Sequence, residues 1–172
     1  MIMIKNNAKR IAGTAILAAL ALISFIIESL FPPLFIPGAK MGLSNIFTFL
    51  ALILYGGGSG LATVLVKCLL GAVFGGNFSA LMYSLPASLA ALGAEYALFK
   101  LLFPKTSLVA ISVVAAVIHN LVQNLVFCLV TQTPEALTYL PYLAVTGALA
   151  GVIVGLTCWS SLKILPAKYF SR

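Results

Sequence analysis

The chain has 172 residues, 62% of them hydrophobic and only 8% charged, with a formal net charge of +7. That length holds one compact unit rather than two ordinary domains, and a mean hydropathy of +1.16 excludes a typical water-soluble domain. The positive charge does not indicate a nucleic-acid partner, because no Lys/Arg-rich face with interleaved aromatics is present; in an apolar chain, basic residues mark cytoplasmic loops.

Spanning a hydrocarbon core of ~30 Å takes about 17–25 apolar residues in a helix, and six candidate runs follow one another. The first, Ile11 to Phe31, follows a basic segment and stops at Pro32-Pro33; without a small-residue cleavage site it reads as a retained helix, not a signal peptide. The second, Gly42 to Tyr55, is broken by Gly56-Gly57-Gly58. The third, Ser59 to Phe74, ends at Gly75-Gly76-Asn77. Both are short, so two full crossings and a re-entrant hairpin fit equally well. The fourth, Phe78 to Phe103, contains Pro86, which predicts a kink or a local break. The fifth covers Ser107 to Val130 and the sixth Tyr139 to Ile164. The expected architecture is therefore an all-α integral membrane protein, residues 1–172 forming a single transmembrane domain.

Charge sets the orientation. With six spans, Lys5, Lys9, Arg10, Lys100, Lys105, Lys163, Lys168 and Arg172 share one side, and Lys40 and Glu135 the other. The positive-inside rule assigns both termini to the cytoplasm, in a cell membrane crossed several times.

One polar island interrupts the fifth span: His119-Asn120-Leu121-Val122-Gln123-Asn124. His119 and Gln123 are one turn apart, as are Asn120 and Asn124, so the four side chains cover one broad helix face. Interhelical hydrogen bonding at ~1 kcal/mol per bond accounts for a single such residue; four on one face point to a lined cavity. Lys67, midway along the third span, costs on the order of 3 kcal/mol in hydrocarbon and calls for a partner: Glu28, Glu95 or a bound anion. On the outer side, Pro37-Gly38-Ala39-Lys40-Met41-Gly42-Leu43-Ser44-Asn45 opens the second span. Ser44 or Asn45 suits a helix start, and a helix N-terminus beside Lys40 favours an anion. Gly75-Gly76-Asn77-Phe78 forms a second glycine turn on that side. Lys40, Asn45, Lys67, Asn77, His119, Asn120, Gln123 and Asn124 are thus the candidate ligand-binding residues, with Tyr83, Tyr139 and Tyr142 near enough to stack on a ring.

Small residues recur at helical spacing: Ala8 and Ala12, Ala15 and Ala19, and the ladder Gly147, Gly151, Gly155. Such stripes let backbones approach closely, either within the bundle or against another membrane subunit. Cys68, Cys128 and Cys158 lie far apart in apolar runs and form neither a C-x-x-C nor a metal pattern. Catalysis has little support. The chain has no Asp and three dispersed glutamates, hence no acidic pair to hold Mg²⁺ on a diphosphate. No P-loop, H-E-x-x-H or G-x-S-x-G is present. No cofactor and no metal are expected, and active transport would need a partner ATPase.

The segment from Pro37 to Ile46 resembles the P-G-A-K-x-G-L-x-N signature of small bacterial membrane proteins of the heptaprenyl diphosphate synthase component I, or Gx transporter, family. Gly75-Gly76-Asn77-Phe78 and His119-Asn120-Leu121-Val122-Gln123 are similar to that family's G-N-F and H-N-x-x-Q segments. The resemblance runs from about Ile11 to Leu162. This family is in turn similar to the substrate-binding S components of energy-coupling factor (ECF) transporters. That likeness implies a six-helix bundle capturing a small polar, anionic or isoprenoid-related solute from outside, with a scaffold subunit and two ATPases as partners. It also implies that Ala15 and Ala19, as an A-x-x-x-A stripe on the first helix, dock the scaffold. The family's synthase association implies an alternative: a non-catalytic membrane subunit working with a soluble, aspartate-rich heptaprenyl diphosphate synthase in isoprenoid quinone biosynthesis.

Overall fold

The computed structural model describes residues 7–30, 42–76 and 78–164. Within them the chain forms α1 (Asn7–Leu30), α2 (Leu43–Tyr55), α3 (Gly57–Gly75), α4 (Phe78–Leu102), α5 (Leu108–Thr131), a 3₁₀ turn over Pro134–Tyr139, and α6 (Leu140–Ile164). Five stretches are long and apolar enough to cross a membrane, and α2 is a shorter apolar helix. The described residues contain no strand, so the all-α membrane bundle expected from the sequence is what forms.

Local chemistry sets the ends. Ser107 Oγ accepts the Ala110 N–H at 3.1 Å and starts α5. Gly56 alone makes the break between α2 and α3, with φ 92° and ψ 175°, a region open essentially only to glycine. Gly57 and Gly58, expected to belong to that break, instead form the first turn of α3. At 19 residues, α3 covers ~28 Å at 1.5 Å per residue. At 13 residues, α2 covers only ~20 Å. Pro86 does not break α4, which continues through it; the carbonyl one turn back, on lipid-exposed Met82, simply loses its helical donor.

Packing closes a cycle in the order α1–α3–α4–α5–α6–α2, with α2 also touching α3 and α4. The most buried helix is therefore the shortest. Phe49, Leu52 and Ile53 of α2 are almost fully enclosed, against a core that includes Leu92, Phe99, Ile111 and Val154. Large apolar side chains such as Ile16, Leu69, Leu129 and Leu149 stay on the outside, where lipid rather than protein covers them. Lys9, Arg10, Lys100, Lys105 and Lys163 fall at one end of the bundle, and Glu135 at the other.

The seam between α5 and α6 is the tightest. A methyl group built on Gly151 would come within 2.5 Å of the Val113 Cα, and one on Gly155 would meet the Ser112 hydroxyl. Ser112 Oγ also donates to Gly151 O at 2.7 Å. The glycine ladder thus packs the bundle internally. Ala15 and Ala19 point outward.

Candidate functional site

Polar residues in the half away from the basic end converge from five helices. The N-terminal end of α2 meets the C-terminal end of α1, where Glu28 Oε1 accepts the Leu43 N–H at 2.7 Å. The expected cap from Ser44 or Asn45 does not form; a carboxylate from another helix takes that role, which suits the positive end of the helix dipole. Asn45 is thereby free to turn inward, where its Oδ1 accepts from Lys67 Nζ at 2.6 Å, and Ser44 Oγ lies 3.4 Å from the same ammonium.

Lys67 is 1% exposed, and a charge so placed requires hydrogen-bonding partners. Asn45 and Ser44 supply two of them. Glu28 lines the same small cavity, together with Phe25, Ser84, His119 and Gln123. Glu95 lies deeper in α4, within electrostatic reach of Lys67, and is not part of the lining. The enclosed space is about 10 Å³, room for roughly one water. A larger solute requires the surrounding helices to part.

The polar face of α5 divides in two. His119 and Gln123 line the cavity with Lys67. Asn120, one residue and ~100° further round the helix, donates through Nδ2 to Leu143 O of α6 at 3.0 Å. Asn124 accepts a weak contact from the Cys128 thiol at 3.6 Å. Asn45, Lys67, His119 and Gln123 are therefore brought together, while Asn120 and Asn124 are buried on the neighbouring stripe. Lys40 and Asn77, the remaining candidate ligand-binding residues, lie outside the described residues. Of the tyrosines, Tyr83 stacks edge-on against Phe127 at 5.7 Å, Tyr139 and Tyr142 are exposed, and none lines the cavity.

Sequence reasoning did not single out Ser84 and Ser88. They sit one turn apart on α4 and face the cavity. Ser84 is 2% exposed, and its hydroxyl has no hydrogen-bond partner. The only signal was their i, i+4 spacing, which serines in apolar helices often show while bonding the preceding turn of their own helix.

Apolar helices enclosing an ionisable, hydrogen-bonding centre define a multi-pass integral membrane protein. The model of the heptaprenyl diphosphate synthase component I family matches residues 17–160, and the chain belongs to that family. Searches of curated proteins and of solved structures give no significant match.

Proposed function

We propose that this chain is a non-catalytic membrane subunit that works with a soluble heptaprenyl diphosphate synthase, anchoring it where its long apolar product enters the bilayer. Family membership over residues 17–160 carries the reading. Its chemistry is consistent with a division of labour. The chain has only three acidic residues, and they are spent separately: Glu28 at the α2 start, Glu95 inside α4 and Glu135 in the 3₁₀ turn. Holding Mg²⁺ on a diphosphate takes clustered carboxylates, so that task falls to the partner. The basic end faces the cytoplasm in this reading, following the positive-inside rule, within the inner cell membrane. Mild-detergent purification from native membranes, followed by mass spectrometry, tests it. A co-purifying aspartate-rich prenyl synthase is expected; an ECF scaffold with two ATPases in its stead would overturn it.

A second reading, an S-component-like subunit that captures a small polar or anionic solute from outside, draws on two observations. The Asn45–Lys67–His119–Gln123 cluster sits in the half away from the basic end, and Ala15 and Ala19 of α1 are exposed, as a scaffold-docking stripe requires. Native mass spectrometry of the isolated protein tests the binding half: a small solute released on denaturation, and lost in Lys67→Met and Gln123→Leu, is the expected result.

A further inference from the structure

A roomier cavity than the one beside Lys67 lies at the other end of the bundle. Between α1, the α2–α3 turn and α4 there is a cleft of about 480 Å³, the size of an ordinary small-molecule site. Exposed Arg10 lines it with Tyr55 and Tyr96, and Gly57, Gly58 and Gly93 add no side chains to fill it. The cleft and its cation define the site. The Arg10 guanidinium lies 3.6 Å from where a Gly58 side chain would begin, beside the first turn of α3. Gly56 brings no capping side chain there, so the N–H groups of Gly57 and Gly58 add to the positive potential. Lys100 does not line the cleft, but its Nζ sits 5.8 Å from the centre of the ring of Tyr96, which does. No acidic side chain lines the cleft; Glu95, the neighbour of Tyr96, is 4% exposed and turned into the bundle.

The rest of the lining is hydrocarbon. Leu61 is 42% exposed and Leu89 38% exposed, so the cleft opens onto the lipid-facing surface. Leu89 lies two turns of α4, ~10 Å, further from the basic end than Tyr96. A cationic end at the membrane surface that runs into a greasy, lipid-open furrow is complementary to one kind of molecule. We infer that this cleft binds a phosphorylated amphiphile, its phosphate on Arg10 and the α3 start and its apolar chain along Leu61 and Leu89. A prenyl diphosphate and an anionic phospholipid share that chemistry. The inference stands apart from the partner reading, since it is read on the isolated chain and loss of synthase co-purification would leave it intact.

The test is binding of farnesyl diphosphate and of phosphatidylglycerol to the full chain in zwitterionic nanodiscs, followed by native mass spectrometry and titration. Two variants probe the two halves of the site. Arg10→Gln removes the exposed charge. Gly93→Leu fills the cleft in a helix whose fold it should spare, because nothing lies within 4 Å of a methyl built there. The expected result is that each variant weakens binding at least tenfold, that farnesol does not compete, and that raised salt weakens the wild type. Preference for farnesyl diphosphate identifies the prenyl source, and preference for phosphatidylglycerol identifies the lipid source. If neither ligand binds, or if both variants bind like wild type, the inference fails.

Discussion

Two adjacent stripes of α5 carry nearly the same chemistry and do different work. On one, Ser112 and Asn120 spend their hydrogen bonds on the backbone of α6, at Gly151 O and Leu143 O. On the other, His119 and Gln123 face a cavity shared with Lys67, Glu28 and Ser84. The amides of Asn120 and Gln123 differ by three residues and a fraction of a turn, yet one is a fastener and the other lines a hole. In hydrocarbon a polar residue is costly wherever it stands; what it faces decides whether that cost secures packing or leaves a site.

The comparison breaks most visibly on the fastened side. Gly151→Val should destabilise the bundle by about 3 kcal/mol, at the upper end for overpacking, because the atoms in the way are Val113 and Ser112 backbone, which cannot swing aside. A denaturant titration in mixed micelles checks this, and a variant as stable as wild type would mean the two helices are not so closely apposed. Asn120→Leu should cost about 1 kcal/mol in the same assay. The loss is moderated because Leu143 O keeps a second donor, Thr146 Oγ at 3.2 Å.

The bundle itself was legible from composition and run length, since hydrophobic runs of membrane length have few alternatives. The inner workings of the polar face were less so. Periodicity puts His119, Asn120, Gln123 and Asn124 on one side of α5, but a helical wheel does not say where the neighbouring helix begins. That boundary comes from the glycine ladder of α6, which brings its backbone close enough for Asn120 to reach. The partner of Lys67 was open for a similar reason: Glu28, Glu95 and an anion all offered charge, whereas the partners of the ammonium include the neutral Asn45 and Ser44. Glu28 stands nearby but is engaged by the α2 start. The cleft at Arg10 left no trace, because much of its space comes from glycines, whose missing side chains open a hollow only once the neighbouring helices are in place.

On the cavity side the expected stability effects are smaller, and their direction is informative. Lys67→Met should cost about 1 kcal/mol, since it removes a costly buried charge but leaves the Asn45 and Ser44 acceptors without their donor. A loss of several kcal/mol would mark Lys67 as a structural ion-pair partner rather than a site residue.

Ser84→Ala sharpens the contrast most finely. Its hydroxyl is buried without a hydrogen bond, so removal gives up no bond and relieves an unsatisfied group. Unfolding free energy should shift by under about 0.5 kcal/mol, and upward if it moves at all. Serines of the fastened side provide the control: Ser112→Ala, which forfeits the 2.7 Å bond to Gly151 O, should cost about 1 kcal/mol. Were the two alanine variants equally destabilised, Ser84 would be bonded within the fold, and the cavity would lose the group best suited to meet a guest.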